Sequence, residues 1–177
     1  MRVFVAAELP DAVVSSLVAW RPRVDGLRAV APQSLHLTLA FLGERSEAEA
    51  AAAAGVVRAA AAPVDGLALG APRWLPARRP RVLAVEVTDR TGALAALQRA
   101  VAAGLAQAIG FAGDRRPFLP HVTVARVRGR ARVSAVDLGA VPDVAEFRVE
   151  ALTLMRSRLN AAPDGAARYE ALERVAL

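Results

Sequence analysis

The stretch SLHLTLAFLG, residues 34–43, decides how this chain is read. In an extended strand the side chains alternate, so Leu35, Leu37, Leu39 and Phe41 take one face and His36, Thr38 and Ala40 the other. The leucine face calls for a core, and Phe41 is expected in it. The opposite face sets an imidazole two residues before a hydroxyl, in a run that otherwise reads as a buried strand. Gly43 closes the run. Ser46 then opens SEAEAAAAAGVVRAAAA (46–62), which predicts a helix with a weakly apolar face.

Working outward, the same order of elements occurs twice. RVFVAAEL (2–9) is a valine-rich strand, and Pro10 and Asp11 open a helix over 11–21. A loop with Gly26 and Pro32 leads to the histidine strand. From residue 81, RVLAVEVT (81–88) is again a valine-rich strand, and Asp89 or Thr91 can cap a helix over 91–109 that Gly110 ends. The loop GDRRPFLP (113–120) leads into HVTVARV (121–127), where His121, Thr123 and Ala125 share a face. The two histidines, at 36 and 121, stand 85 residues apart, close to half the chain. The tails correspond more loosely. GLALGAPRWLP (66–76) follows the first unit. A short helical candidate near 134–140, EFRVEALTLMRSRL (146–159), a turn at AAPDG (161–165) and ARYEALERVAL (167–177) follow the second. The expected architecture is α+β: a duplicated, bilobal fold in one domain, 1–177. Two antiparallel sheets face a central cleft, with helices outside and both His/Thr faces lining the cleft.

The totals narrow the chemistry. A chain of 177 residues can bury a sizeable core. Cysteine is absent, which excludes disulfides, thiolate nucleophiles and cysteine-ligated zinc, and fits a reducing compartment. No run reaches the ~18 apolar residues of a membrane span. The start, MRVFVAAELPD, is broken by Glu8, Pro10 and Asp11 and is no secretory signal. A cytoplasmic, non-membrane monomer is expected. The net charge is +6, and all 23 basic residues are arginine. Arginine stays protonated and presents a planar fork suited to phosphate, so an anionic partner is favoured.

A single histidine in an apolar strand is ordinarily a hydrogen-bonded structural residue, and threonine suits strands for its shape alone. Here both histidines of the chain lie at equivalent points of two similar units, each two residues before a threonine. Packing does not demand that. Across one cleft, one imidazole can be neutral while the other is protonated, the requirement for paired general base and general acid. The threonine hydroxyls can donate to non-bridging phosphate oxygens. In-line phosphoryl transfer fits, with about 10²–10⁴-fold from each proton-transfer partner. Fixed donors to developing charge add up to about 3–4 kcal/mol apiece. A metal site would need a third ligand, and no cysteine, third histidine or adjacent carboxylate offers one. A serine hydrolase lacks its G-x-S-x-G. No metal and no cofactor is expected.

HLTL (36–39) and HVTV (121–124) resemble the paired His-x-Thr-x motifs of the 2H phosphoesterases. RVFVAAELP, HLTLAFLG, RRPFLPHVTVAR and RYEALERVAL extend the likeness along the whole chain, toward the bacterial RNA 2′,3′-cyclic phosphodiesterases, also called 2′-5′ RNA ligases. The resemblance implies two pseudo-symmetric lobes and metal-free opening of a terminal 2′,3′-cyclic phosphate to a 2′-phosphomonoester. It implies His36 as the acid that protonates the departing O3′ and His121 as the base that activates water. Thr38 and Thr123 would hold phosphate oxygens, with Arg126 as a further clamp. Strict alternation from His121 turns Arg126 away from the cleft, so it reaches the phosphate only if the strand ends, twists or bulges near Ala125.

RRPR (78–81), Arg115 with Arg116, and RVRGRAR (126–132) are the basic segments that could run along an RNA backbone. Arg116 is taken as a substrate contact, and Phe118, close to His121, as a base-stacking candidate. Trp74 is taken as packing. The substrate is expected to be RNA ending in a 2′,3′-cyclic phosphate or a small cyclic nucleotide. Two other readings use the same residues: a phosphodiesterase or reversible 2′-5′ ligase acting on another nucleotide or RNA end, and a non-catalytic RNA-binding module.

Overall fold

The valine-rich and alternating segments form the strands that carry the site. A computed structural model of the chain describes residues 1–22, 25–113, 116–129, 138–158 and 167–177. The order is β1 (Arg2–Glu8), α1 (Asp11–Trp20), β2 (Leu27–Ala29), a 3-10 turn (Pro32–Ser34), β3 (His36–Glu44), α2 (Glu47–Ala60), β4 (Leu67–Leu75), β5 (Val82–Asp89), α3 (Ala93–Ile109), β6 (His121–Val127), β7 (Ala151–Arg158) and β8 (Arg168–Ala176). The turn expected at 161–165 and most of the helical candidate at 134–140 lie outside the described residues. Residues 138–140 are not helical. The run expected as a strand from 146 is one only from Ala151, and Phe147 before it makes an isolated bridge to Leu67.

Helix ends follow their side chains. Ser46 and Glu49 form a reciprocal capping box at the start of α2. The N-cap of α3 is Gly92, which has no side chain, and the two expected caps serve first-turn amides from just before it: Thr91 Oγ1 accepts from the Ala93 amide at 3.3 Å and Asp89 Oδ2 from the Ala95 amide at 2.9 Å. Each helix turns a stripe inward, Ala50, Ala53 and Val57 on α2 and Leu94, Leu97, Val101 and Leu105 on α3. The two helices pack so closely that a Cβ at Gly104 would lie 2.7 Å from Val56 Cγ1.

All strand pairs among the described residues are antiparallel, and the fold is α+β as expected. The two sheets of the duplicated units are hydrogen-bonded edge to edge into one sheet of eight strands. Its order is β4-β5-β6-β3-β1-β7-β8, with β2 also on β6. The join is between β3 and β6, at the pair Leu37↔Val122, whose side chains are both fully buried. Truncating Leu37 to alanine there costs about 2–5 kcal/mol. The repeats are also interleaved. β4 of the first half pairs with β5 of the second, and β7 of the second pairs with β1 of the first. Each half therefore completes the other's sheet.

No helix among the described residues is long and apolar enough to cross a membrane.

Candidate active site

The join fixes the site. One residue either side of Leu37↔Val122, the antiparallel register sets His36 across from Thr123 and Thr38 across from His121. All four side chains leave the same face of the sheet, opposite the buried leucines and valines, and line one pocket with Arg126, Ser34, Val30 and Tyr169. The duplicated motifs meet as nearest-neighbour strands related by a local two-fold axis.

Each imidazole is oriented in the same way. His36 Nδ1 lies 2.8 Å from the Ser34 carbonyl, and His121 Nδ1 lies 2.8 Å from the Leu119 carbonyl. A carbonyl can only accept, so each Nδ1 carries a proton, and Nε2 is in each ring the nitrogen that holds the lone pair when the ring is neutral. In His36 that Nε2 accepts from the Thr38 hydroxyl at 3.1 Å. Burial lowers the His36 pKa from 6.5 to about 4. The Ser34 carbonyl opposes this, while the Arg126 and His121 charges add to it. Within this pocket His36 is neutral at physiological pH.

The register of the two halves matches pair for pair. Glu8↔His36, Ala6↔Thr38, Val5↔Ala40 and Phe4↔Phe41 in the first correspond to Glu86↔His121, Ala84↔Thr123, Leu83↔Ala125 and Val82↔Arg126 in the second. Both ladders slip at the same point, between Val5 and Ala6 and between Leu83 and Ala84. One extra residue is thereby inserted in the histidine strand, Leu39 in β3 and Val124 in β6. After the slip, Ala40 and Ala125 face the core beside those residues, and the next side chain returns to the cleft face. This is how Arg126 reaches the pocket. The same device corrects the expectation for Phe41, which is 49 % exposed instead of in the core, with the Arg2 guanidinium 4.7 Å over its ring.

Two other expected contacts are not in the pocket. Phe118 packs against the core, and Leu119 is the exposed neighbour, because the extended approach to β6 alternates out of phase with a stacking role for Phe118. Arg116 is exposed and does not line the pocket. Trp74 packs against the core, as read from the sequence. Of the basic segments, Arg78, Arg79 and Arg81 are exposed. Arg115, Arg130 and Arg132 lie outside the described residues. β2 adds Arg28, across from Arg126.

Sequence reasoning missed four residues of the cleft face. Glu8 accepts from Thr153 Oγ1 at 2.6 Å and from Arg174 Nε at 2.9 Å, and Glu86 pairs with Arg73. An acid thus sits across from each histidine, engaged by an arginine from an outer strand. The repeated Ala-x-Glu of Ala6–Glu8 and Ala84–Glu86 was the available signal. Phe4 and Tyr169 surround His36: the Phe4 ring stacks on it at 4.9 Å and 29°, and the Tyr169 ring stands nearly perpendicular to it at 5.4 Å and 82°. Ala6, between Phe4 and Glu8 on the same face, presents only a methyl and leaves room for the rings to meet. Among the described residues no three His, Asp or Glu side chains cluster as a metal site requires.

Comparison with known proteins gives one answer. The family model described as the 2′-5′ RNA ligase superfamily matches residues 9–161. A protein of Thermus thermophilus named RNA 2′,3′-cyclic phosphodiesterase is 34 % identical over 189 residues, covering 100 % of this chain and 90 % of that one. A crystal structure from the same organism superposes with a TM-score of 0.78 at 31 % identity, covering 100 % of this chain and 98 % of that one. Escherichia coli LigT complexed with 3′-AMP superposes with a TM-score of 0.76 at 28 % identity, over 99 % of this chain and 97 % of that one.

Proposed function

The chain belongs to the 2′-5′ RNA ligase superfamily, and on that premise we propose that it opens a terminal 2′,3′-cyclic phosphate on RNA to a 2′-phosphomonoester, by His/His acid–base catalysis and without a metal. The observation that carries this reading is the pair of Nε2 atoms. Each is freed by an Nδ1–H bond to the carbonyl two residues earlier, and they lie on adjacent strands in one pocket. The relatives named for this activity, and a related enzyme complexed with 3′-AMP, support the substrate class.

In this reading the cyclic phosphate sits over the join, with Thr38, Thr123 and Arg126 donating to its non-bridging oxygens. Water attacks phosphorus as one imidazole takes its proton. The P–O3′ bond breaks as the other imidazole protonates O3′, leaving a 3′-hydroxyl and a 2′-phosphate. With His36 as the donor, the bound anion must first restore the proton that burial has removed from it. The low proton affinity of His36 favours a second reading, in which the roles are exchanged and His36 takes the proton from water. A substrate with a 3′-sulfur leaving group separates the two, because sulfur departs without a proton. The variant lacking the acid is rescued by it and the variant lacking the base is not.

The donor chemistry supports metal independence: the carboxylates across from the two histidines, Glu8 and Glu86, are held by Arg174 and Arg73. The primary test is an RNA ending in a cyclic phosphate, incubated in EDTA, with the product identified by phosphorus NMR. A 2′-phosphate is expected; a 3′-phosphate, or no turnover in EDTA with activity restored by a divalent ion, overturns the proposal. Proposed with it are a single domain over 1–177 and a cytoplasmic monomer. The segment around Arg78–Arg81 would lie on the path of the RNA backbone, giving affinity that falls as salt rises.

A further inference from the structure

The two histidines share a backbone environment but not a ring environment. Among the described residues, His36 has ring contacts and His121 has none. One of its two rings comes from far away. In the order β3-β1-β7-β8, a flat sheet would hold β8 about 14 Å from β3. Tyr169 on β8 nevertheless brings its ring to 5.4 Å from the His36 ring and 5.0 Å from the Phe4 ring, the latter at 75°. The sheet is therefore coiled across this span, where the β7–β8 ladder also slips between Leu154 and Met155, and the Tyr169 side chain reaches the pocket. The position equivalent to Phe4 in the other half is Val82. There the sheet ends at β4, and the described residues offer no counterpart of β8 to carry a second ring.

We propose that Tyr169 is a positioning residue whose ring, together with that of Phe4, clamps the His36 imidazole in its site orientation and makes the two histidines chemically unequal. This rests on the reading of His36 as a proton-transfer group. Neither ring carries a charge, so the near-perpendicular tyrosine and the stacked phenylalanine enclose the imidazole in apolar surface without offering it a counter-ion. The charged groups facing His36 add no such counter-ion. Arg126 and His121 approach from β6. Glu8 lies across on β1, and its carboxylate is engaged by Thr153 and Arg174. Ser34 contributes a carbonyl. With charge around it so arranged, the rings decide how much water reaches His36, and through this its proton affinity.

The test is titration of both imidazoles by NMR in the free, full-length protein, which needs no substrate and no knowledge of the reaction. In Tyr169→Leu, the His36 titration moves up by about one unit toward the ordinary value of about 6.5 while that of His121 stays in place. Phe4→Leu removes the other ring and moves His36 the same way, an independent reading should the strand edge not tolerate the first change. Tyr169→Phe keeps the ring and leaves the His36 titration where it was. In turnover, Tyr169→Leu lowers kcat about tenfold with KM within about twofold, the signature of a misplaced proton-transfer group rather than a lost substrate contact. The proposal is overturned if both leucine variants leave the His36 titration unmoved. It is also overturned if Tyr169→Phe shifts it as far as leucine does, which would give the work to the hydroxyl. Failure of catalysis in the wild type with these titrations as expected would sink the reaction and leave the clamp standing.

Discussion

Set the first histidine ladder beside the second and they agree until one tier. Glutamate, histidine, alanine, threonine and the inserted residue recur in both. Then Phe4 and Phe41 stand in one half where Val82 and Arg126 stand in the other. The shared part supplies two equivalent nitrogens and two hydroxyls on a common face. The unshared tier gives one half rings and the other a fixed positive charge. A symmetric scaffold alone would present two interchangeable imidazoles, and acid–base work on opposite sides of a phosphorus needs two that differ.

Breaking the shared part has the largest effect. His36→Ala and His121→Ala each lower turnover by about 10³-fold or more, with folding retained by circular dichroism. A near-normal rate in either ends the paired mechanism. Thr38→Val and Thr123→Val should each cost about 10²-fold, and to a similar degree, because the two positions are equivalent. A large inequality would mean that the phosphate sits off the local axis.

Exchanging the unshared tier sharpens the comparison. Arg126→Phe copies the first half into the second and should lower kcat/KM by about tenfold by removing a phosphate donor. It also removes a positive charge near His36, so the His36 pKa rises from about 4. Smaller again is the effect of His36 on stability. Its pKa is lower in the folded protein than the 6.5 of the unfolded chain, so the unfolded chain takes up a proton first as pH falls. The contribution is complete above pH 6.5 and is lost on going down to about 4, by about 3 kcal/mol in all. His36→Gln should flatten the pH dependence of the urea midpoint across that window. Phe41→Ala, at an exposed site, should change stability by no more than about 0.5 kcal/mol.

What the sequence disclosed followed from local pattern. The alternation in 36–39 and 121–124, the repeated His-x-Thr and the helix ends at Ser46 and Gly110 are short-range signals, and the structure keeps them. Arg126 was conditional on a bulge near Ala125, and the bulge is there. Phe41 obeyed the same bulge at Ala40, where plain alternation sent it to the core. Phe118 packs against the core, because nearness in sequence to His121 does not settle the face. Tyr169 is out of reach of the sequence altogether, since nothing in RYEALERVAL says that a ring on β8 meets one on β3 with β1 and β7 between them.

The interleaving of strands has its own consequence for how the molecule comes apart. A cut in the link between Leu75 and Val82 would leave an amino-terminal fragment holding β4 without β5, and a carboxy-terminal fragment holding β7 without β1. Each piece carries a bare sheet margin that only the other can cover. The repeats are thus mutual templates: they should melt in a single transition and, when severed, recover activity by reassociation, as two hands regain a clasp.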